Sequence, residues 1–559
     1  MPPRLVGSID NWSGKNTPDG KSWLLDHAQS MGFDTVWFSP FFETTRLKAA
    51  TGEGHPNEHC LYAIRGHGVL DPEFSATKIT KNREDHTPKE LAAIDELDRE
   101  HLEHFSAQAA KQGIKVVPMA DLVFNHIAAD HPVAVQERAE IKAIVDSLPA
   151  GQQVHLVKKL AKDHDDVEKN NNIGISWTDA QGQKQEYLFK FAYNDKLEPL
   201  DWQGKPNLET AQINYASPAA KEFFITGKDG KDGFWKQVMD WYMDRGMDNF
   251  RCDVAYRVPA DWWQELIGHV AQRKPDVCMM AETLGGSDKA LEKMAKIKVL
   301  DGHGNERPGF DLGMTSNYWW NFTDDWLPKQ EMPRLRKMAK FGGAAAPDNH
   351  DTAETLAGKF QKALKGKADA DHAVADICMR NYAISALIGN TVFMQMGYEY
   401  CKETQNGVFK GQGSPKEWED LVKARPAGNV LNISHRVKEI NALKSSLHTE
   451  NCYVNIVEHK EVQSGKLITL TCEYIDADTG KKTAEAVLII NKKPEDGAVA
   501  VTEGSILALE GKGLTRLGGS SDKVLMVGDA MIYHTPVKDI EPPLSTLARN
   551  VKKAYRPAA

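Results

Sequence analysis

An arginine and an aspartate stand two residues apart in the stretch DNFRCDVAYRVP, which runs from residue 248 to residue 259. Phe250 and Cys252 alternate with polar residues, as on a strand, and side chains two apart on a strand share a face. The face opposite Phe250 therefore carries Arg251 and Asp253 together into what should be an interior. Burying two charges costs free energy unless they are paired, so the pattern indicates chemistry rather than packing.

Carboxylic acids end four apolar runs along the chain. Asp121 follows VVPMA, Asp253 follows NFRC, Glu282 follows VCMMA, and Asp351 closes GGAAAPDNHD. A single acid at such a place would serve equally well as a helix N-cap or as a solvated loop residue. Four acids that converge would repel one another and shift their pKa values. Proteins tolerate such repulsion at sites of metal binding or of acid–base and nucleophilic chemistry. The four acids together therefore predict a site of one of these kinds.

Helical patterns alternate with short apolar runs over most of the chain. Helix-then-strand units of this kind predict a parallel sheet with helices outside it. About eight units fit between residues 4 and 448, beginning with a strand at RLVGSID, and eight is the number that closes a (β/α)8 TIM barrel of the α/β class. Functional residues of such a barrel lie at the C-terminal ends of its strands, which is where the four acids stand.

The alternation of helices and strands is interrupted at two places, and these interruptions predict the domain boundaries. The barrel is predicted to comprise residues 1–125 and 231–448. Residues 126–230 are too many for a plain loop and predict an inserted subdomain after the third strand, with a hairpin around Asp179–Gln183. Residues 449–540 are β-rich runs between turns, which predict a C-terminal antiparallel β-sandwich. Residues 541–559 are a basic terminal extension.

Composition narrows the class of protein. The chain has 559 residues, 41% of them hydrophobic and 26% charged, and a formal net charge of -9. This charge argues against a nucleic-acid partner, and no apolar run is long enough to predict a membrane span. The start has no basic and apolar signal-peptide pattern, and the seven cysteines are scattered, as is usual in a reducing compartment. We expect a cytoplasmic protein, with export by a route without a cleaved signal left open.

The acids also carry a family resemblance. DLVFNH (121–126), FRCD (250–253), the AE of MMAET (281–282) and NHD (349–351) resemble the four ordered segments of the α-amylase family of retaining glycoside hydrolases. AQINYASP (211–218) and GNTVFMQMGYEY (389–400) are similar to further segments of that family. Tyr62 stands nine residues before DPEF, as the family's substrate-stacking tyrosine does. The resemblance extends in order over residues 20–450.

The resemblance implies a role for each residue. Asp253 would be the nucleophile that forms a covalent glycosyl-enzyme, and Glu282 the general acid and base. Asp351 would stabilise the transition state. Arg251 would lower the pKa of Asp253 and so keep it ionised, and Asp121 would order Arg251. The substrate-binding residues implied by the resemblance are Arg251, His126, His350, Tyr62, Asp121 and Tyr256.

Some positions depart from the family pattern. Asn249 replaces the usual glycine before FR, and Tyr256 and Arg257 occupy the places of a lysine–histidine pair that many members have after the nucleophile. Asn125 matches a calcium ligand of many members, so a structural calcium ion is expected there on the strength of the resemblance. The chemistry itself requires no cofactor.

The resulting hypothesis is a retaining hydrolase of α-1,4 bonds in starch- or glycogen-type α-glucans. A glucan or maltosyl transferase would use the same covalent intermediate and remains an alternative. A non-catalytic carbohydrate-binding or scaffold member is a second alternative, although Asp253, Glu282 and Asp351 are all retained. A metal-dependent barrel hydrolase would need histidine ligands, and the sequence offers no convincing set. The sequence does not indicate an oligomeric state.

Overall fold

The structure is a computed structural model, and the residues that it describes cover most of the chain. They are 3–47, 60–77, 83–111, 116–149, 151–159, 172–206, 209–314, 325–337, 342–352, 354–405, 408, 413–447, 452–492, 499–502, 509–510, 512, 514–517, 524–525 and 530–536.

The central sheet contains seven parallel strands, whose order in the sheet follows their order in the chain. Among the described elements, the one before each strand is a helical segment, as the alternating pattern predicts, except at β5, where the antiparallel pair Lys298–Leu300 and Glu306–Pro308 intervenes. Neighbouring strands are in register, so that Phe250 pairs with Ala120 on one side and with Met279 on the other. The strands are Thr35–Phe38 (β1), Val117–Leu122 (β2), Phe250–Cys252 (β3), Met279–Ala281 (β4), Leu312–Met314 (β5), Gly342–Ala345 (β6) and Thr391–Val392 (β7).

Helices lie between the strands, and several begin at a hydroxyl residue whose side chain accepts a backbone N–H, as an N-cap does. Ser22, Ser287, Thr355 and Ser414 are such caps. The α-helices are Pro3–Val6, Ile9–Trp12, Trp23–Ser30, Pro88–Lys111, Pro132–Asp146, Pro218–Lys221, Phe234–Met243, Ala260–Arg273, Asp288–Ala295, Met332–Lys337, Leu356–Ala363, Ala370–Ile388, Pro415–Ala424 and Ser434–Leu447. Shorter 3-10 or π turns are Arg83–Asp85, Glu222–Thr226, Ala255–Arg257, Leu327–Glu331 and Tyr398–Tyr400.

The predicted first strand at RLVGSID is wrong. These residues form the short helices Pro3–Val6 and Ile9–Trp12, separated by Gly7 at φ +73°, which is not an extended conformation. In the described residues the central sheet therefore has seven strands, one fewer than the eight predicted. Burial does not alternate here as on a half-buried strand, since Arg4, Leu5 and Val6 are all buried. The N–H of Gly7 donates to the Pro3 carbonyl at 2.9 Å and closes a helical turn.

Small antiparallel sheets occupy the segment between β2 and β3. His126–Ala128 pairs with Thr210–Gln212. His155–Lys158, Asn172–Thr178 and Lys184–Leu188 form a three-stranded sheet, and this confirms the predicted hairpin around Asp179–Gln183. Whether the segment is a subdomain with the bounds 126–230 stays a prediction. Two further antiparallel pairs are Phe42–Thr44 with Ile64–Leu70 and Lys298–Leu300 with Glu306–Pro308.

After the last helix the chain forms a five-stranded antiparallel sheet. Its order is Cys452–Val462, Leu467–Asp476, Lys482–Asn491, Ala530–His534, Thr515–Arg516. A separate pair joins Val499–Ala500 to Val524–Leu525. The β-sandwich itself and the bounds 449–540 stay predictions, and the terminal extension 541–559 lies outside the described residues. In the described part of the chain, no helix is both long and apolar enough to span a membrane.

Candidate active site

Three neighbouring strands bring the first charged residues of the site together. Arg251 in β3 pairs directly with Asp121 in β2. Asp253 and Glu282 are the residues that follow β3 and β4, and each donates its backbone N–H at 2.9 Å to a carbonyl of the preceding strand in the sheet. Because the strands are parallel and in register, their C-terminal ends place all four residues at the same edge of the sheet.

The guanidinium of Arg251 contacts three carboxyl groups. Its Nη1 donates to both oxygens of Asp121, at 2.8 and 3.0 Å, and to Oδ1 of Asp253 at 2.7 Å. Its Nη2 donates to Oε2 of Glu282 at 2.8 Å. The Arg251 side chain is only 1% exposed, so water compensates little of this charge. If all three acids were ionised, one cation would leave two negative charges uncompensated.

Burial raises the pKa of these carboxyl groups. Loss of hydration raises the pKa of Asp253 and that of Asp121 to about 6, and Arg251 opposes the rise only in part. Burial also raises the pKa of Glu282 to about 8, and the charge of Asp253 adds to the rise. Arg251 acts on the pKa of Asp253 in the expected direction, but the net shift is upward. The cation does lower it, but the desolvation of a buried carboxylate is the larger effect.

Tyr62, His350 and Asp351 continue the network. The Tyr62 hydroxyl donates to Oδ2 of Asp121 at 3.0 Å and lies 3.0 Å from Nε2 of His350. The two rings stack, with centroids 5.7 Å apart and planes at 2°. Nε2 of His350 also lies 3.4 Å from Oδ1 of Asp351, which is 42% exposed. The charge of Asp351 contributes to the raised pKa of Glu282, so Asp351 faces the same site from its open side.

Trp37 belongs to the site although none of the sequence motifs includes it. Its indole N–H donates to Oδ2 of Asp121 at 3.3 Å, and Cζ of Arg251 lies 5.1 Å from the centroid of its ring, within the range of a cation–π contact. The strand pattern does contain a signal for it. Trp37 stands between Val36 and Phe38, which are buried in the main core, so its own side chain faces the opposite side of the sheet.

His126 contacts the backbone of Tyr62, and Asn125 directly precedes His126 in the chain. Nε2 of His126 is 3.0 Å from the Tyr62 carbonyl oxygen, and burial lowers the pKa of His126 to about 4, so its ring is neutral near pH 7. Among the described residues, Nδ1 of His126 and both polar side-chain atoms of Asn125 are buried without a hydrogen-bond partner. His126 thus contacts the backbone that carries Tyr62, and the Asn125 side chain has free bonding capacity.

Asn125 is the residue at which the resemblance implies a calcium ion. The buried amide oxygen of Asn125 suits a hard cation, which prefers oxygen ligands. Within the described ranges, the group of His, Cys, Asp and Glu side chains close enough to share a metal is Asp232, Asp240 and His269. In that group Asp240 is already bound by Arg273. Asn125 therefore fits a cation as one oxygen ligand.

Tyr256 stands in the short turn Ala255–Arg257, which begins two residues after Asp253. Its ring lies against a pair of glycines, since a Cβ atom on Gly286 would come 2.9 Å from its Cγ. Burial raises the pKa of Tyr256, and the charge of Glu282 adds to the rise. The glycines that follow Glu282 thus leave room for Tyr256 beside the acid.

The structure therefore brings most of the predicted residues into one place. A single network of contacts joins Asp121, Arg251, Asp253, Glu282, Tyr62, His350 and Asp351. Tyr256 lies beside this network, and His126 and Asn125 lie behind it. The arrangement combines a buried carboxyl of moderately raised pKa with a neighbouring carboxyl of strongly raised pKa. Such a pair can supply one ionised and one protonated acid at the same pH.

Comparison with curated proteins gives distant relatives, and no family model matches the chain. The α-1,4-glucan:maltose-1-phosphate maltosyltransferase of Burkholderia pseudomallei (strain K96243) is 24% identical over 237 residues, which are 42% of this chain and 18% of that protein. The oligo-1,6-glucosidase of Halalkalibacterium halodurans is 22% identical over 251 residues, which are 44% of this chain and 33% of that protein. The alignments thus cover a third or less of these relatives' own length.

Solved structures of similar fold match almost the whole chain. An α-amylase from Lactobacillus plantarum superposes with a TM-score of 0.53 at 14% identity, over 96% of this chain and 98% of that one. The α-glucosyl transfer enzyme XgtA gives a TM-score of 0.55 at 12% identity over the same shares. At these identities the structures show a shared fold, the TIM barrel of α-amylases. The chain is thus similar in sequence to hydrolases and transferases of the α-amylase family, and it shares its fold with solved α-amylases.

Proposed function

We propose that the chain is a retaining hydrolase of α-1,4-glucosidic bonds in starch- or glycogen-type glucans. Asp253 attacks the anomeric carbon while Glu282 gives its proton to the departing glycosidic oxygen. Water then attacks the resulting glycosyl-enzyme and gives a proton to Glu282, and the ester bond to Asp253 breaks. Tyr62 and His350 present a stacked aromatic surface to the sugar ring, and Asp351 accepts hydrogen bonds from its hydroxyls.

The observation that carries this proposal is the geometry at Arg251, whose guanidinium bonds to Asp253 at 2.7 Å and to Glu282 at 2.8 Å and so holds the two acids side by side. With the pKa of Asp253 at about 6 and that of Glu282 at about 8, the nucleophile is ionised and the acid is protonated between these two pH values. The first step needs this combination. When Asp253 becomes an ester it loses its negative charge, which is one cause of the raised pKa of Glu282. The pKa of Glu282 then falls, and Glu282 can act as the base in the second step.

Glu282→Gln tests the role of the acid. Glutamine keeps the shape but has no transferable proton, so the variant should cleave natural glucans at least about a thousandfold more slowly. A maltosyl fluoride needs no acid to depart, so its first step should survive and the glycosyl-enzyme should accumulate. Azide needs no base, and adding it should restore turnover and give a product of retained α configuration.

The matched control is Glu306→Gln, since Glu306 is an exposed acid paired with Lys298 and its loss should leave starch hydrolysis unchanged. A β-configured azide product from Glu282→Gln would exchange the roles of Glu282 and Asp253. Normal starch cleavage by that variant would remove Glu282 from the chemistry.

Transfer is the second candidate, and the names of two relatives favour it. Maltosyltransferases of Burkholderia pseudomallei and of Bifidobacterium animalis align with 42% and 47% of this chain. In a transferase a sugar hydroxyl or a phosphate, instead of water, would meet the intermediate on Asp253. Incubation with maltoheptaose, with and without inorganic phosphate, separates the two. Short products alone indicate hydrolysis, and products longer than the substrate or sugar phosphates indicate transfer.

We infer that a cation at Asn125 would be structural. The chemistry proposed here uses only carboxyl groups, and the buried Asn125 side chain has no hydrogen bond to any of them. Dialysis of the protein against a calcium chelator should lower the midpoint of thermal unfolding, and added Ca²⁺ should restore it. An unchanged midpoint would mean that ordered water, and not calcium, satisfies the Asn125 side chain.

A further inference from the structure

The backbone of Val254 is strained. Its φ and ψ angles are 41° and 43°, in the left-handed region. Of the described non-glycine residues with positive φ, it is the one with a β-branched side chain, and for such a residue this conformation is a genuine outlier. Val254 directly follows Asp253. Strain of this kind persists where the surroundings fix it, and it is concentrated at functional sites.

Neighbouring contacts fix the turn on both sides of Val254. Before it, the N–H of Asp253 donates to a β2 carbonyl at 2.9 Å. After it, Nε1 of Trp263 donates to the Ala255 carbonyl at 2.9 Å. With both neighbours held, the left-handed turn is what redirects the Val254 N–H, which donates to Oε2 of Glu282 at 2.7 Å.

Two donors therefore meet on one oxygen of Glu282. Nη2 of Arg251 donates to the same Oε2 at 2.8 Å. A protonated carboxyl has one carbonyl oxygen, which accepts, and one hydroxyl oxygen, which donates. An oxygen that already accepts two N–H groups is the carbonyl oxygen. The proton of Glu282 must then reside on Oε1.

We propose that Val254 is a positioning residue of the reaction proposed above: its left-handed backbone aims an N–H at Oε2 of Glu282 and so makes Oε1 the oxygen that carries and delivers the proton. The delivery of the proton from Oε1 rests on the proposed function, in which Glu282 is the general acid. The contact between the Val254 N–H and Oε2 of Glu282 does not depend on that function. The side chain of Val254 has no role in it, because the backbone N–H makes the contact.

Burial and the surrounding charges together determine the pKa of Glu282. Burial is the largest cause of its raised pKa, the charges of Asp253 and Asp351 add to the rise, and the positive charge of Arg251 opposes it. Tyr256 also faces Glu282. The Val254 N–H lowers the pKa of Glu282, because a hydrogen bond to a carboxylate favours its charged form.

The direct test removes the N–H and little else. Replacing Val254 by its α-hydroxy acid analogue, through nonsense suppression, turns the amide into an ester. We expect the basic limb of the pH profile of kcat/KM to move upward by about one pH unit, the effect of losing one hydrogen bond to a charged group. The acidic limb, set by Asp253, should stay in place. An ester variant whose basic limb does not move would overturn the proposal.

Val254→Gly is the control for strain. Glycine adopts the left-handed region freely and keeps its N–H, so the basic limb should stay in place while the midpoint of thermal unfolding is retained or raised. Val258→Gly, four residues on, should lower that midpoint, since Val258 is buried and has an ordinary extended backbone at φ -88°. If Val254→Gly moved the basic limb as far as the ester does, the side chain and not the N–H would be responsible.

A second measurement does not depend on activity. In the unaltered protein labelled with [15N]valine, the Val254 amide proton shift should titrate with the pKa of Glu282, and this titration should vanish in Glu282→Gln. If the shift titrates but no glucan is cleaved or transferred, the proposed function fails and the positioning stands. If glucans are cleaved and the shift does not titrate, the positioning fails and the function stands.

Discussion

At the scale of residues, the site depends on one cation shared by three acids. Arg251 is bonded to Asp121, Asp253 and Glu282 at once. A change of charge on one acid therefore changes how strongly Arg251 stabilises the ionised forms of the other two. A planar guanidinium with several donors can make such contacts together. The pKa values of the three acids are therefore properties of the group and not of each residue alone.

Arg251→Lys should move both limbs of the pH profile upward. Lysine keeps the charge but cannot bond to three carboxyls in the same geometry, so the pKa of Asp253 and that of Glu282 should both rise. A higher pKa of Asp253 lowers the ionised fraction of the nucleophile, and kcat/KM on the acidic limb should fall about tenfold when this pKa rises by about one. The measurement is kcat/KM on a maltooligosaccharide over the pH range from about 4 to about 10, which includes both limbs.

The control for this prediction is Arg273→Lys, because Arg273 is 40% exposed and pairs with Asp240 and Asp244 away from the strand ends. Its profile should match the wild type. If Arg251→Lys were active with an unmoved acidic limb, Arg251 would have a structural role only.

The sequence predicts which residues meet but not how they titrate. The strand pattern predicts that Asp121, Asp253 and Glu282 stand at one edge, because parallel strands share a direction. The net rise in the pKa of Asp253 depends on the depth of burial, which follows from helices and loops far away in the chain. The conformation of Val254 has no sequence signal, since valine is disfavoured in the left-handed region and only the surrounding contacts hold it there.

At the scale of elements, Asn249 links three strands at the start of β3. Its Oδ1 accepts the N–H of Cys278 at 3.0 Å, and its Nδ2 lies 3.5 Å from the carbonyl of Pro118 in β2. The glycine that the family usually has here could make neither contact. The departure that the sequence shows at this position thus has a physical role, as a side-chain bridge between β2 and the segment that leads into β4.

Asn249→Ala should destabilise the sheet without touching the acids. The buried Cys278 N–H would lose its partner, which costs about 1–3 kcal/mol. Unfolding by urea, followed by circular dichroism, measures this loss as a lower midpoint with an unchanged slope. Asn305→Ala, in an exposed turn, should change the free energy of unfolding by less than about 0.5 kcal/mol. Equal midpoints for both variants would leave Asn249 without a bridging role.

The helices and strands are predictable where the hydrophobic period is unambiguous. β3 and β4 fall inside the apolar runs NFRC and VCMMA, and β2 overlaps the run VVPMA. RLVGSID fails because so short a segment fits both periods. The structure buries Arg4, Leu5 and Val6 in succession, whereas a half-buried strand would alternate buried and exposed residues.

At the scale of the whole molecule, the C-terminal sheet shares a core with the helices. Side chains on one face of Leu467–Asp476, among them Ile468, Leu470 and Tyr474, pack in one cluster with residues of Ala370–Ile388 and Ser434–Leu447. Polar bonds cross the same boundary: the Tyr474 hydroxyl donates to the Leu387 carbonyl at 3.2 Å, and Nη1 of Arg380 donates to the Asn491 carbonyl at 3.0 Å. The sheet is therefore part of the support of these helices and not an appendage.

Removal of residues 449–559 should therefore abolish folding of the remainder, because it exposes the continuous apolar face of Ala370–Ile388, which precedes β7. Large exposed apolar surfaces lead to aggregation. We expect the truncated chain to be recovered as aggregate in size-exclusion chromatography, whereas removal of residues 541–559 alone should leave a monodisperse protein with the wild-type pH profile. The single substitution Leu470→Asp puts an unpaired charge into the shared core and should lower the midpoint of thermal unfolding sharply, by a loss of several kcal/mol. A truncated chain that ends at residue 448, stays monodisperse and cleaves glucans would show that the helices hold together without the sheet, and the shared core would then join two independently stable units.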